Sequence, residues 1–231
     1  MITCEYMGRL GNNMFQIATT YATAKKYNDI AEFSPHPDMP HLPIRSTKPD
    51  NEFIGLNNRN QIYDIPHKKN MTLVGFFQRH EYFDFVKDEL IEKVFNVPND
   101  WQPNTIAIHV RRGDFLFDPF NFPPVSVEYI NKAISLMPEN KRIVFLSDDM
   151  NWCIENFSNL PKVEFRINTS PMSDIFFMAN CDNVIMSNST FSFWGAYLSN
   201  RKRQIVFPLH WFAKTSGRDG YEICPKEWKG I

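Results

Sequence analysis

The chain has 231 residues, enough for one large domain or two small ones, and its formal net charge is −1. A total charge so close to zero gives no general attraction to nucleic acid or to an anionic membrane, so neither is expected as a partner. No apolar run approaches the roughly 20 residues of a membrane span, and the first residues do not read as a signal peptide. We therefore expect a soluble, cytoplasmic protein.

The first hundred residues are predicted to be less regular than the rest. A helix begins with Asn12 as its cap and continues to about Lys26, because apolar residues recur at helical spacing. Five prolines exclude regular structure from 34–50. A short buried strand over 71–75 and an amphipathic helix over 82–94 follow.

The remainder of the chain alternates strands with helices after a predicted boundary at 98–104, which gives domains of 1–100 and 101–231. The predicted strands are 105–110, 142–146, 163–165, 183–186 and 204–207, and the predicted helices are 127–137, 150–157, 173–180 and 191–199. This alternation indicates βαβ units on a parallel sheet. In such sheets a ligand binds beyond the carboxyl ends of the strands, which is where the motifs of this chain fall.

Four cysteines lie far apart in the sequence, at Cys4, Cys153, Cys181 and Cys224. No two form a CxxC pair, so neither a zinc motif nor a redox motif is expected. We predict buried or free thiols, as in a reducing compartment.

The first motif, Gly8-Arg9-Leu10-Gly11-Asn12-Asn13, leads into the first helix. Glycines let a backbone approach a ligand closely, and a helix N-terminus offers N–H groups suited to phosphate. The motif is neither a dinucleotide-binding GxGxxG nor a P-loop. Taken alone, it is more simply interpreted as a turn with an asparagine cap.

The second motif, His109-Val110-Arg111-Arg112-Gly113-Asp114, ends an apolar strand. If the strand persists, His109 and Arg111 share one face and Arg112 points away. The guanidinium fork of Arg111 suits a diphosphate and would stabilise it as a leaving group without a metal. Arg112 could instead pair with Asp114 or another carboxylate to hold the loop. The simpler alternative is a surface arginine pair beside a core histidine.

Two further motifs open helices at strand ends. In Ser147-Asp148-Asp149, the carboxylates could bind a ribose, a base or a metal, or Ser147 or Asp148 could cap the helix. In the segment 187–195, hydroxyls and helix N–H groups could cradle an anion, or the segment is an ordinary capped helix start.

Taken together and in this order, the four motifs resemble glycosyltransferase family 11, the α-1,2-fucosyltransferases. Residues 208–212, with Trp211-Phe212, are similar to the family's closing segment. The arginine motif also recurs in other fucosyltransferase families, so it supports the donor better than the linkage. The chain departs from the family at Asn13, where a glutamine is common, and at Phe193-Trp194, where a Trp-Trp pair is common. It is also shorter than usual.

The resemblance implies an α/β, GT-B-like fold with two Rossmann-like halves facing a cleft. Residues 1–100 would lie on the acceptor side, and residues 101–231 would bind the donor, GDP-β-L-fucose. Transfer to a glycan hydroxyl, with O-2 of a galactoside as the expected position, would invert the anomeric centre. No metal and no cofactor are expected.

The resemblance also carries residue roles. Arg111 would contact the GDP phosphates and help the leaving group depart, while His109 and Asp114 would shape the pocket and are candidates for the general base. The remaining donor-binding candidates are Asp148 or Asp149 for guanine or ribose, Asn188, Ser189, Thr190 and Phe191 for the diphosphate and base, and Gly11 and Asn12 from the other half.

Two alternatives remain at this point. One is a transferase that uses another GDP-deoxyhexose or makes another linkage, since the same phosphate and guanine contacts would serve it. The other is a non-catalytic nucleotide- or glycan-binding module, against which the intact Arg111, Asp148 and 187–191 segment argue.

Overall fold

The computed structural model describes residues 1–55, 62, 64–139, 141–199, 201 and 203–231. The chain divides into two units, Met1–Val97 and Pro98–Ile231. This division lies three residues before the boundary expected after residue 100.

The N-terminal unit contains a three-stranded parallel sheet in the order β1-β3-β2. Its strands are β1 (Ile2–Cys4), β2 (Asn51–Ile54) and β3 (Met71–Val74), and its long helix is α1 (Leu10–Lys26). Helix α1 packs against β1, and most of its residues from Gly11 to Ala24 are buried. Small residues such as Ala18 and Ala22 let the helix lie close to its neighbours.

The segment expected as one amphipathic helix over 82–94 is helical but broken, so that prediction is wrong in its regularity. It consists of 3-10 turns at His80–Tyr82 and Asp84–Val86, a single α turn, α2 (Lys87–Glu89), and a π turn at Leu90–Val94. The π turn is closed by a hydrogen bond from Phe95 N to Leu90 O at 2.8 Å. Leu90, Val94 and Phe95 are all buried at this turn.

The C-terminal unit contains a six-stranded parallel sheet in the order β6-β5-β4-β7-β8-β9. The strands are β4 (Gln102–Val110), β5 (Arg142–Ser147), β6 (Val163–Phe165), β7 (Cys181–Ile185), β8 (Gln204–Phe207) and β9 (Lys229–Gly230). The helices are α3 (Val127–Ser135), α4 (Met150–Phe157), α5 (Pro171–Asn180) and α6 (Thr190–Tyr197). In chain order this is the doubly wound arrangement 3-2-1-4-5-6, and it reverses between β4 and β7.

The central strands of this sheet are buried almost throughout. Ile106, Ile108 and Val110 of β4 pack with Phe145 of β5 and Ile185 of β7 in one hydrophobic cluster. Near-continuous apolar runs of this kind are typical of parallel strands that helices cover on both faces. The predicted strand and helix alternation of this half is therefore confirmed.

A single arginine joins the C-terminal ends of two helices. The Arg203 guanidinium donates from Nη1 to Met178 O at 2.7 Å, at the end of α5, and to Cys181 O at 3.0 Å. Its Nη2 donates to Gly195 O at 2.9 Å and to Ala196 O, near the end of α6. Burial among these carbonyl groups lowers the pKa of Arg203 to about 10, so the side chain stays charged at neutral pH. The arginine therefore supplies hydrogen-bond donors to carbonyl groups at the ends of both helices, where intrahelical donors run out.

The four cysteines are buried and unpaired, as the sequence predicted. Burial raises the pKa of the Cys153 thiol to about 11 and that of Cys181 to about 12, so both are protonated and unreactive at neutral pH. Among the residues that the structure describes, no helix is long and apolar enough to cross a membrane.

Candidate active site

Three of the four sequence motifs meet at one edge of the C-terminal sheet. β4 pairs in register with β5 up to Val110 and Ser147, and with β7 up to Ile108 and Ile185. The carboxyl ends of these three strands are therefore neighbours. Because the strand order reverses between β4 and β7, the arginine motif and the segment 187–195 flank the crevice where doubly wound sheets bind ligands.

Arg111 lies just past the end of β4 and is held by two carboxylates. Its Nη2 bonds Asp114 Oδ1 at 2.6 Å, and its Nη1 bonds Asp148 Oδ2 at 2.7 Å. The guanidinium also lies 5.8 Å from the centre of the Phe115 ring. The fork that the sequence predicted for a diphosphate is thus fixed in orientation, with both Nη groups engaged by protein partners.

Arg112 has the structural role that the sequence left as an alternative. Its Nε bonds Asp149 Oδ2 at 3.0 Å, its backbone N donates to Asp148 Oδ1 at 2.9 Å, and its guanidinium stacks 4.2 Å from the centre of the Trp152 ring. Of the two kinds of partner that the sequence allowed, Asp114 or another carboxylate, the structure has the second, since Asp149 pairs with Arg112 and Asp114 bonds Arg111. Arg112 therefore ties the loop after β4 to the start of α4.

Gly113 permits this close approach. A Cβ atom at this position would lie 2.5 Å from Asp148 Oδ2, a carboxylate oxygen that Arg111 already holds. Any side chain would therefore displace the carboxylate or the loop.

Helix α4 is capped by Asp149, not by Ser147 or Asp148 as expected. The Asp149 side chain accepts from Trp152 N at 3.3 Å, and its own backbone N donates to Ser147 Oγ at 2.9 Å. Each aspartate of the pair thus combines a backbone contact with an arginine. Within the described ranges, no group of three or more His, Cys, Asp or Glu side chains is arranged to hold a metal ion.

His109 is buried on β4 and joins the second motif to the fourth. Its Nδ1 lies 3.0 Å from Ser187 Oγ and 2.6 Å from Ser192 Oγ, and its ring stacks on Phe191 at 4.9 Å between centres. Burial, and secondarily the nearby Arg111 charge, lowers the pKa of His109 to about 3. A neutral, enclosed imidazole of this kind is a weak base and fits a positioning role better than proton abstraction.

The segment that opens α6 is a capped helix start whose serine hydroxyls already have protein partners. Ser189 caps the helix by accepting from Phe191 N at 3.3 Å, while Ser187 and Ser192 face His109. Asn188 is buried, and its Nδ2 donates to Pro123 O at 3.0 Å and to Trp211 O at 3.2 Å. The expected cradle would therefore depend on the helix N-terminus rather than on these hydroxyls.

The first motif lies in the N-terminal unit, and its predicted cap is wrong. Arg9 occupies the N-cap position of α1, and Asn12 lies in the first turn, where its Oδ1 accepts from Gln78 Nε2 at 2.8 Å. The earlier start is possible because Gly8 has a φ of 77°, which turns the chain sharply before the helix. Gly11 is buried in the same first turn.

A buried amide network behind this motif was not predicted. Gln16 Nε2 donates to Gly75 O at 3.0 Å, and Gln16 Oε1 accepts from Met7 N at 3.0 Å. Asn13 Oδ1 lies 3.2 Å from His36 Nε2, and His36 Nδ1 accepts from a backbone N–H, so Nε2 carries the proton. The sequence did contain one signal for this network. Asn13 and Gln16 are two amide side chains three residues apart on a helix face whose other residues are buried.

Solved structures of low sequence identity share this fold. NodZ alpha-1,6-fucosyltransferase soaked with GDP-fucose aligns with a TM-score of 0.52 and 11% identity, covering 86% of this chain and 92% of that one. POFUT1 in complex with GDP-fucose aligns with a TM-score of 0.55 and 12% identity, covering 89% and 96%. These similarities confirm the α/β, GT-B-like fold class with Rossmann-like halves.

Relatives by sequence are glycosyltransferases. The O-antigen biosynthesis glycosyltransferase WbnK of Escherichia coli is 31% identical over 187 residues, covering 70% of this chain and 61% of that protein. The alpha-1,2-colitosyltransferase of Escherichia coli is 29% identical over 185 residues, covering 71% and 63%. Galactoside alpha-(1,2)-fucosyltransferase 2 of Sus scrofa is 26% identical over 240 residues, covering 86% and 70%. The chain thus spans less than two thirds of the length of the two bacterial relatives.

The profile of one family accounts for most of the chain. It matches residues 52–231, a range that includes the whole C-terminal sheet and the three motifs at its carboxyl edge. With the ordered motifs, the strand order and the relatives in agreement, this chain belongs to glycosyl transferase family 11.

Proposed function

We propose that this protein is an inverting glycosyltransferase that moves L-fucose from GDP-β-L-fucose to O-2 of a galactoside. Its family membership and the galactoside and α-1,2 activities named for its relatives support this reaction. The observation that carries the proposal is the position of Arg111. It stands at the reversal point of a doubly wound sheet, where a nucleotide diphosphate would lie.

Arg111 would act on the leaving group. Cleavage of the fucosyl bond builds negative charge on the diphosphate, and a preorganised cation aimed at that charge is usually the largest catalytic contribution. Asp114 and Asp148 hold the guanidinium in place before the donor arrives. This protein-borne charge would let the reaction proceed without a metal.

Donor binding would require a change of partner, because both Nη groups of Arg111 are engaged. The Asp114 side chain is 41% exposed and that of Asp148 is 27% exposed, so Asp114 is the easier to displace. The diphosphate would take its place on Nη2. The released Asp114 carboxylate would then be available to accept the proton of the acceptor hydroxyl.

The start of α6 would complete the donor site. Its N-terminal N–H groups and dipole suit an anion, and Thr190 and Phe191 are only half-buried there. Asn188 and Ser189 would shape this turn, the first by holding two loop carbonyls and the second as the helix cap. His109 would position the same turn through Ser187 and Ser192.

The test is a product analysis with the wild-type protein. Incubation with GDP-β-L-fucose and lactose, with and without EDTA, should release GDP and give a trisaccharide with fucose on O-2 of galactose, as nuclear magnetic resonance would show. GDP-mannose in place of GDP-fucose should give no transfer. Another linkage, or no acceptor-dependent release of GDP, would contradict the proposal.

A second donor deserves a direct comparison, because one relative is named an alpha-1,2-colitosyltransferase. The proposed phosphate and base contacts would serve any GDP-linked deoxyhexose equally well. Ratios of kcat/KM for GDP-fucose and for another GDP-deoxyhexose would assign the donor. A non-catalytic binding module, by contrast, would bind GDP and release none from GDP-fucose when acceptor is added.

A further inference from the structure

A loop directly after the arginine motif exposes several aromatic rings. We call residues Phe115–Phe122 the aromatic loop. Phe117 is 90% exposed and Phe120 is 66% exposed, with Leu116 and Phe122 also at the surface. Single exposed apolar residues are common on proteins, but several of them within one short loop make that loop a candidate binding surface.

The loop is ordered by its own contacts. The rings of Phe115 and Phe122 stack at 5.4 Å between centres, and Phe122 N donates to Asp118 O at 2.9 Å. The Asp118 carboxylate accepts from Asn121 Nδ2 at 2.9 Å. These contacts order the backbone of the loop and the rings of Phe115 and Phe122, so a ligand would not have to bear the full cost of ordering the loop.

Both ends of the loop are attached to the proposed donor site. At its start, Phe115 lies beneath the Arg111 guanidinium, and the preceding Asp114 bonds Arg111. Just past its end, Pro123 O accepts from Asn188 Nδ2 at 3.0 Å. The exposed rings therefore belong to a loop that connects the two segments proposed to bind the diphosphate.

The charge of the aromatic loop and its neighbours indicates which class of ligand it can bind. Residues 113–131 contain no lysine or arginine, and their charged side chains are Asp114, Asp118 and Glu128. Such a surface does not attract nucleic acid or an anionic membrane. Apolar ring faces next to carboxylate and amide groups suit a neutral polyol, which presents C–H groups on one face and hydroxyls at its edge.

We propose that the aromatic loop is the acceptor-binding platform, with Phe117 and Phe120 stacking on a neutral sugar ring and Asp118 and Asn121 offering hydrogen bonds to its hydroxyls. This inference rests on the proposed function, because it places the acceptor beside the leaving group at Arg111. It adds residues that select the acceptor, and it places them in the C-terminal unit, in addition to the expected acceptor side in residues 1–100.

The test compares Phe117→Ala, Phe120→Ala and the double variant with the wild-type protein. The KM for lactose should rise about tenfold for each single change, the ratio that corresponds to about 1.4 kcal/mol of lost ring contact. The KM for GDP-fucose and the Kd for GDP should not change, and Phe117→Tyr should restore the acceptor KM. Trp101→Ala is the matched control, since Trp101 is an exposed aromatic just before the opposite end of β4, and its acceptor KM should equal that of the wild type.

An unchanged lactose KM in the double variant would overturn the inference, as would a parallel rise in the GDP-fucose KM, which would assign the loop to the donor. If the wild type sediments with phosphatidylglycerol vesicles and the double variant does not, while the lactose KM is unchanged, the loop binds a membrane instead.

If the wild type transfers no fucose, the proposed function fails separately, and the role of the loop is then tested by titrating both proteins with lactose and following binding by nuclear magnetic resonance. Binding by the wild type that the double variant loses would support the platform, and any other result would overturn it.

Discussion

Arg111 illustrates what could and could not be read from single residues. Two adjacent arginines at a strand end predicted a bound anion and a structural partner, but not which carboxylates would hold them. In the structure Arg111 bonds Asp114 and Asp148, and Arg112 bonds Asp149. These pairings depend on how the ends of β4 and β5 are aligned, and that register is set by the folded sheet rather than by the local sequence.

The proposed release of Asp114 from Arg111 predicts that a change at Asp114 affects turnover and GDP binding differently. Asp114→Asn should lower kcat about 100-fold, the lower end of the range for losing a general base, while GDP affinity does not fall, because the diphosphate no longer has to displace a charged carboxylate from Arg111. Stopped-flow kinetics and calorimetry would measure the two quantities. Glu164→Gln, which removes another carboxylate paired with an arginine in the same unit, should leave both unchanged. Parallel loss of turnover and GDP affinity would show that Asp114 only shapes the pocket.

The depressed pKa of His109 predicts an acid-sensitive fold. Its pKa is about 3 in the folded protein and near 6.5 when unfolded, so between these values only the unfolded state takes up the proton. The stabilising contribution is therefore complete above pH 6.5 and is lost as the pH falls towards 3. From pH 7 to pH 5 this residue alone should cost about 2 kcal/mol of unfolding free energy.

Urea denaturation of the wild type and His109→Gln at pH 7 and pH 5 would measure that effect. His36, whose pKa burial also lowers, contributes to both proteins and cancels in the comparison. The variant should lose about 2 kcal/mol less than the wild type over this range. Equal losses in the two proteins would contradict a buried, neutral His109.

At the scale of elements, the sequence located most helices and strands, including the three-residue β6, but missed three short strands. Periodicity placed α1 and the alternating strands and helices of the second half. Strands β1, β2 and β9 are only 3, 4 and 2 residues long, too short to show any alternation of apolar side chains. The sequence predicted that α5 begins at residue 173, two residues later than in the structure, where Ser170 caps the helix and Pro171 is its first residue.

Arg203 is the element-scale feature with the largest expected effect on stability. It joins the ends of α5 and α6 through hydrogen bonds from a charged group to several carbonyls. Arg203→Lys cannot reach both helix ends at once, and the unsatisfied carbonyls should lower the unfolding free energy by about 3 kcal/mol. Arg201→Lys, a change at a nearby exposed arginine, should cost less than about 1 kcal/mol. Similar losses in the two variants in urea denaturation would contradict this role.

At the scale of the whole molecule, the order of motifs along the chain was more informative than any motif alone. Each motif admitted a structural interpretation, and the structure shows that several also have structural roles, such as the caps at Asp149 and Ser189. Their convergence follows from the strand order, which places the ends of β4, β5 and β7 together. That order arises from long-range pairing and could not be derived from the local periodicity of the sequence.

The central claim is that Arg111 binds the diphosphate of a GDP-sugar. Its most direct test is acceptor-dependent release of GDP from GDP-fucose by the wild type, Arg111→Ala and Arg142→Ala. Arg142 pairs with Glu164 at the start of β5, away from the carboxyl edge of the sheet, and is the matched control. We predict release by the wild type and by Arg142→Ala at similar rates, and a kcat about 10²–10³ lower for Arg111→Ala, the scale for removing one preorganised donor to developing charge. Undiminished turnover in Arg111→Ala would contradict a GDP-sugar diphosphate at this site.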